Sequence, residues 1–373
     1  MKKLHKAYEE LFDKPDTLIQ LKSDDNKIAF DLAVAYPDPE EDLPDSAVTS
    51  LGLSAISHKK EHSIELFTEI HDKVSDETVN GIGAVYHTIF DRLEKEKEIV
   101  PGKIYRSVSL PPFDNMNAVM ITEKVLGETQ WLDEEDEKGR LMRLIPLFEK
   151  EADELEQYLP ELRHKLVVRS NISYRDPARE PSEIAHTAFL NYWNRISAWY
   201  KENKVIGAKL LEKVLSSKSE NNTGDELEKK LKFKLSPDFK ASFDIQYEKI
   251  VIDDYIMLDE EQIIDHMKGL NNLNNKGEFK KALKKINKDD RLQTQWWHEK
   301  WVPIAFSSQG DRVCIDMAPG PRGVVGQVII HYVEEGPMAS GYDSFLDYLD
   351  DYDTRLIGNE YEVNESGNLN LTY

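Results

Sequence analysis

His58-Lys-Lys-Glu-His62 matches H-x-x-E-H, a spacing that can hold zinc between two imidazoles while the glutamate activates a metal-bound water. That chemistry needs both histidines on one face of a helix. The flanks at 48–57 and 63–70 read as strands, which puts the motif on a hairpin turn, and no distal Glu follows in a matching helix. Asp311 and Asp316 are a second candidate, since paired carboxylates facing a cleft do acid/base work. No Ser, His or ligand set clusters with them, and Asp311 beside Gly310 suits a turn cap. Pro319-Gly320-Pro321-Arg322-Gly323 offers glycines for a phosphate loop, but it lacks the Gly-Lys-Ser/Thr ending and a following helix. Its prolines also remove N–H donors, so a rigid turn is expected, with Arg322 at the tip to meet a partner carboxylate or water. Trp296, Trp297 and Trp301 could anchor an interface or pack in a core. Cys314, amid apolar neighbours, is expected to be a buried core residue rather than a nucleophile.

The elements that must position these groups follow from composition and pattern. A chain of 373 residues with 40% apolar content suggests about two domains, each with material for a core. No apolar run is long enough to span a membrane, and the basic start at Met1-Lys2-Lys3 lacks the apolar stretch of a secretory signal. A single cysteine fits a reducing compartment, and a cytoplasmic location is expected. The net charge of −22 argues against nucleic acid as a direct partner. Residues 1–150 hold 31 acids and 19 bases, 201–300 hold 19 and 20, and 301–373 hold 12 and 3. Such acidic ends either steer a basic protein partner or keep the chain soluble.

Helical spacing of Leu4, Ala7, Tyr8 and Leu11 predicts a helix over 1–13, and strands are expected at 28–36, 48–57, 63–70 and 118–121. Ile82, Val85, Tyr86, Ile89, Phe90 and Leu93 place a helix over 80–97, and a further helix is read over 141–158. Residues 171–181 have the composition of a linker. Beyond it, helices are expected at 182–203, 205–215, 225–235 and 239–243, then a strand at 250–258. Asp259 is a plausible N-cap of a helix to 267, 271–276 reads as loop and 279–288 as a basic helix. Residues 301–306 and 312–317 pair as a β-hairpin across Gly310, and 324–333 returns as another strand. An acidic helix at 342–352 and a tail or added strand complete the chain.

The order Trp301-x-Pro303-Ile304, Gly310-Asp311, a strand, the Pro/Gly loop and another strand to Ile330 resembles the core of the SUKH superfamily. Leu235-Ser-Pro-Asp-Phe239 and the acidic helix fit the same resemblance; Ile245-Gln-Tyr-Glu-Lys249 departs from it where many members carry an Asn/Asp-Gly pair. Residues 1–165 are similar, more loosely, to a suppressor of fused-like domain through Val48-Thr-Ser-Leu-Gly-Leu-Ser54, the Pro101-Gly102 turn and Ile145 to Glu151. The resemblances imply an α+β protein with an N-terminal α/β suppressor of fused-like module at 1–168. They imply a linker at 169–183, a SUKH module with a mainly antiparallel sheet flanked by helices at 184–355, and a tail at 356–373. They also imply no catalytic residue and no cofactor, and Trp301 as part of the family core. The function implied is an immunity protein that neutralises a basic bacterial toxin domain by binding. Trp296, Trp297, Trp301, Asp311 and Arg322 are its candidate contacts. A cytosolic scaffold for a signalling or envelope-assembly partner and a zinc hydrolase using His58, Glu61 and His62 are the alternatives. Oligomeric state is left open.

Overall fold

The computed structural model describes residues 5–6, 8–9, 14–22, 29–38, 45–57, 64–123, 132–134, 137–216, 223–243, 245, 249–286 and 288–371. The fold is α+β, carried by two units, Met1–Ile184 and Ala185–Tyr373, each with its own open sheet. The helix expected over 1–13 falls largely outside the described residues, as does the turn at 58–62.

In the first unit the elements run β1 (Thr17–Lys22), β2 (Ala29–Ala35), β3 (Asp45–Leu51), α1 (Leu53–Ile56), β4 (Ile64–His71) and α2 (Asp76–Leu93). Then come β5 (Ile104–Arg106), β6 (Ala118–Glu123), β7 (Leu132–Glu134), β8 (Glu137–Leu147), α3 (Glu149–Leu155) and α4 (Pro160–Ser170). The sheet order is β1-β2-β3-β4-β8-β6-β5, with β7 beside β8; β4 and β8 are parallel and the other pairs antiparallel. Helix α2 starts where the Ser75 hydroxyl caps the Thr78 N–H, with Asp76 and Glu77 favouring the positive end of the helix dipole. Its buried stripe packs on Phe30, Leu32, Val34, Ile64 and Leu66, and the buried Tyr86 hydroxyl donates to the Val48 carbonyl at 2.6 Å.

Two expectations for this unit are corrected. Residues 141–147 belong to strand β8, not to a helix. Lying between β4 and β6, β8 is buried on both faces, so Leu141, Met142, Leu144, Ile145 and Leu147 form a nearly unbroken apolar run that periodicity cannot tell from a buried helix. Pro146, in register with Val119, was the local sign against a helix. The strand expected over 48–57 stops at Leu51. The buried Glu65 carboxylate accepts the N–H groups of Gly52, Leu53 and Ser54 and the hydroxyls of Ser50 and Ser54, which turns the chain into α1.

The segment after α4 packs on this unit. Arg179 and Glu151 form an ion pair at 5% and 0% side-chain exposure, and Arg179 also donates to the Pro146 carbonyl at 3.0 Å. Glu151 additionally accepts the N–H groups of Phe148 and Ser182. Residues 171–181 are therefore held by a buried charge.

The second unit contains α5 (Ile184–Glu202, entering from the unit boundary), α6 (Ala208–Ser216), α7 (Thr223–Leu231), α8 (Pro237–Phe243), β9 (Val251–Ile252), β10 (Tyr255–Met257) and α9 (Glu260–Asn275). After two short 3₁₀ turns, Glu278–Lys280 and Ala282–Lys285, follow β11 (Trp301–Ser307), β12 (Arg312–Asp316), β13 (Gln327–Tyr332), β14 (Gly336–Ala339), α10 (Phe345–Ile357), β15 (Tyr361–Val363) and β16 (Leu369–Leu371). The antiparallel sheet has the order β14-β13-β12-β11-β10-β9, and β15 and β16 pair separately. Helix α9 lies against β11, and Phe345 of α10 stacks on Phe189 of α5 at 6.3 Å and meets Phe239 of α8 edge-on at 5.8 Å.

Here too local pattern and structure part. The strand read over 250–258 is a hairpin whose two turn residues, Asp253 and Asp254, have φ of 49° and 67°, the left-handed geometry of a type I′ turn. The Asn-rich 271–276 stretch continues α9 to Asn275. The basic helix over 279–288 appears only as the two 3₁₀ turns.

Candidate functional site

The β11–β12 hairpin and the loop after it organise the candidate residues. Trp301 opens β11 opposite Asp316, and Gly310 supplies φ of 93° at the turn. The Asp311 carboxylate accepts the Val333 N–H at 2.9 Å, tying this turn to the end of β13. Asp316 ends the same strand, about 17 Å from Asp311 at ~3.4 Å per residue, so the two carboxylates do not converge. Asp316 instead accepts the Ala318 N–H and the Gln327 amide, each at 2.9 Å, and holds the Pro/Gly loop. Burial raises its carboxyl above the usual range.

That loop is a structural turn. Its Gly320 and Arg322 N–H groups donate to the Arg291 and Asp290 carbonyls, and a Cβ at Gly323 would stand 2.2 Å from the Arg291 carbonyl oxygen. Only glycine permits this backbone approach. Arg322 remains exposed at the tip.

The tryptophans lie in the core: Trp296, Trp297 and Trp301 are 5%, 0% and 0% exposed. They surround His331 with ring-centroid distances of 5.6–6.5 Å, and the His331 Nε2–H donates to the Trp296 carbonyl at 2.8 Å. Trp297 donates its indole N–H to Asn271 at 2.7 Å, which gives the Asn-rich end of α9 a tertiary role. As folded, these indoles offer a partner no face. His331 escaped sequence reasoning; a lone histidine within the apolar strand Val328-Ile-Ile-His331 was its signal. Cys314 is also buried, which pushes its thiol far above the reactive range.

The Leu235-Ser-Pro-Asp-Phe239 motif has a clear physical task. Asp238, 3% exposed, accepts the Phe345 and Leu346 N–H groups at 2.8 and 3.2 Å and so caps α10 from another element. One edge of the sheet is β14, where Met338 is 40% exposed, and the turn that enters it from β13 carries Val333, 48% exposed, and exposed Glu334 and Glu335.

His58, Glu61 and His62 lie outside the described residues. Among the described residues, no group of three or more His, Cys, Asp or Glu is arranged to hold a metal ion, and no helix is long and apolar enough to cross a membrane.

Residues 222–351 match the model of the SMI1/KNR4 family (SUKH-1). No curated protein matches the chain. Among solved structures, a suppressor of fused homologue from Neisseria gonorrhoeae is similar at 13% identity and a TM-score of 0.38, over 48% of this chain and 97% of that one. The Sufu–Fu complex gives 11% identity and a TM-score of 0.38, over 51% and 95%. Drosophila Suppressor of Fused gives 10% identity and a TM-score of 0.37, over 54% of both chains.

Proposed function

We propose, from the SUKH-1 match at 222–351 as premise, that this is a non-catalytic protein-binding protein. Its proposed role is immunity, neutralising a basic toxin domain by stoichiometric binding. The family match is the observation that carries the reading. Two features of the second unit support it. Residues 301–373 hold 12 acids against 3 bases, a field that speeds encounter with a basic surface. The β14 edge and the turn before it expose Met338 and Val333 together with Glu334 and Glu335, apolar contacts with acidic neighbours. Asp311 adjoins this face through the Val333 N–H, Arg322 lies in the loop at the other end of β13 as a separate candidate contact, and the buried tryptophans act by supporting the sheet. The proposed modules are those expected from the sequence, 1–168 and 184–355, with the segment 169–183 between them packed on the first.

The test is affinity capture with the whole chain at low and high salt, followed by co-expression of what is retained. A single basic, near-stoichiometric protein whose toxicity this chain suppresses supports immunity. Replacing Glu334 and Glu335 by Lys then slows association about tenfold at low salt. Capture of endogenous signalling or envelope proteins alone, without rescue from any toxin, overturns it in favour of a scaffold.

A further inference from the structure

We propose that a cavity in the first unit binds a small organic oxyanion, a carboxylate or phosphate on an apolar body. The cavity has a volume of about 620 Å³, within the range of small-molecule sites. It lies on the sheet face opposite α2: Met142 and Leu144 of β8 join the α2 core, so the alternate residues Arg143 and Ile145 point the other way, into its wall. Val167 and Val168 of α4 and Ile172 complete an apolar side. Tyr174 and Arg175 form the rim, which is fixed to the sheet because the His71 N–H donates to the Arg175 carbonyl at 2.7 Å.

Arg143 is the central group. Its side chain is only 9% exposed, it meets the Glu69 carboxylate at 3.0 Å, and its Nε has no partner. A guanidinium carries five N–H donors in a planar fork; here it meets one carboxylate and the Phe67 ring, 5.6 Å from its carbon, and its Nε–H is left without an acceptor. The Tyr174 ring lies between Arg143 and Arg175, 5.5 and 5.9 Å from the two guanidinium carbons. Asp45 is shared between Arg175 and His71, while Asp176 spends an oxygen on the Ala178 N–H at 2.8 Å. Arg143 and Arg175 are the cations of a wall that also carries Asp45 and Asp176, with Glu69 behind Arg143, so an anion would be held by the directed N–H donors of the guanidiniums rather than by a net positive field. A purely structural clasp for the 171–176 segment accounts for the exposed Arg175–Asp45 pair. It does not account for a nine-tenths-buried guanidinium, its Nε–H without an acceptor, on the wall of a ligand-sized cavity.

The experiment is calorimetric titration of the full chain with hexanoate and with its neutral analogue hexanamide. Hexanoate is expected to bind at least about tenfold more tightly. Arg175→Ala and Arg143→Lys should each weaken it about tenfold, with thermal unfolding reporting that each variant stays folded. Asp45→Asn should tighten it, because the internal competitor for Arg175 is gone, a direction that a clasp alone does not produce. Equal binding of the two probes, no heat with either at millimolar concentration, or folded variants that bind hexanoate unchanged would each overturn the proposal. None of these outcomes bears on the protein-binding reading, which rests on 222–351.

Discussion

At the scale of single residues, the chain depends on charges and donors taken out of water with their partners. Glu151 is fully buried and Arg179 is the cation that faces it. Arg179→Ala is expected to cost about 3–5 kcal/mol, the penalty of stranding a buried carboxylate, measured by denaturant unfolding. His331 makes the opposite kind of demand. Burial holds its imidazole down to about 4, against 6.5 in the unfolded chain. Below pH 6.5 the unfolded chain therefore takes up a proton that the folded chain refuses, so stability falls as pH drops towards 4 and levels off beneath it. The loss is roughly 3 kcal/mol, read as the difference between the native chain and His331→Gln, in which the effects of other buried acids cancel. If the two chains show the same slope from pH 7 to pH 4, His331 is not buried neutral.

At the scale of elements, two positions join pieces far apart in sequence. Asp238→Ala leaves two N–H groups at the start of α10 without an acceptor and should cost about 1–3 kcal/mol, whereas Asp238→Asn, which keeps one oxygen, should recover most of it. Gly102 has φ of 84°, and a Cβ there would stand 2.0 Å from the Pro160 carbonyl oxygen at the start of α4. Gly102→Ala is expected to cost more than about 2 kcal/mol, visible as a lowered unfolding midpoint. The Pro101-Gly102 turn was legible because its chemistry is local, and so was the hairpin across Gly310. The turn at Asp253 and Asp254 was not: neither residue is glycine, and the Asp253 side chain is held by a double contact with Arg355 at 2.7 and 2.9 Å from α10. Distant partners of that kind leave no mark in the neighbouring sequence.

At the scale of the whole molecule, Arg179 makes residues 169–183 part of what stabilises the first unit. A fragment ending at 168 should be less stable than one ending at 183 by about 3 kcal/mol or more, since it leaves Glu151 without its cation. Equal unfolding midpoints for the two fragments would reduce the segment to a passive connection. Composition had suggested a linker because proline, arginine and acid are common in exposed chain, and only the buried partner reveals the difference.

The sequence by itself determined the rigid Pro/Gly loop, the hairpin across Gly310 and two amphipathic helices, expected over 80–97 and 182–203 and found at 76–93 and 184–202, each written in turn chemistry or periodicity within a few residues. The α+β class followed instead from the resemblance of the stretch from Trp301 to Ile330 to the SUKH core. Only the tertiary structure decided that 141–147 is a strand, because β4 and β6 bury both its faces and erase the alternation that would mark it. It also placed the tryptophans in the core, separated Asp311 from Asp316 along one strand, and set Arg143 on the wall of a cavity. Burial and convergence depend on which distant segments pack together, and that information lies in the fold rather than in any local stretch of chain.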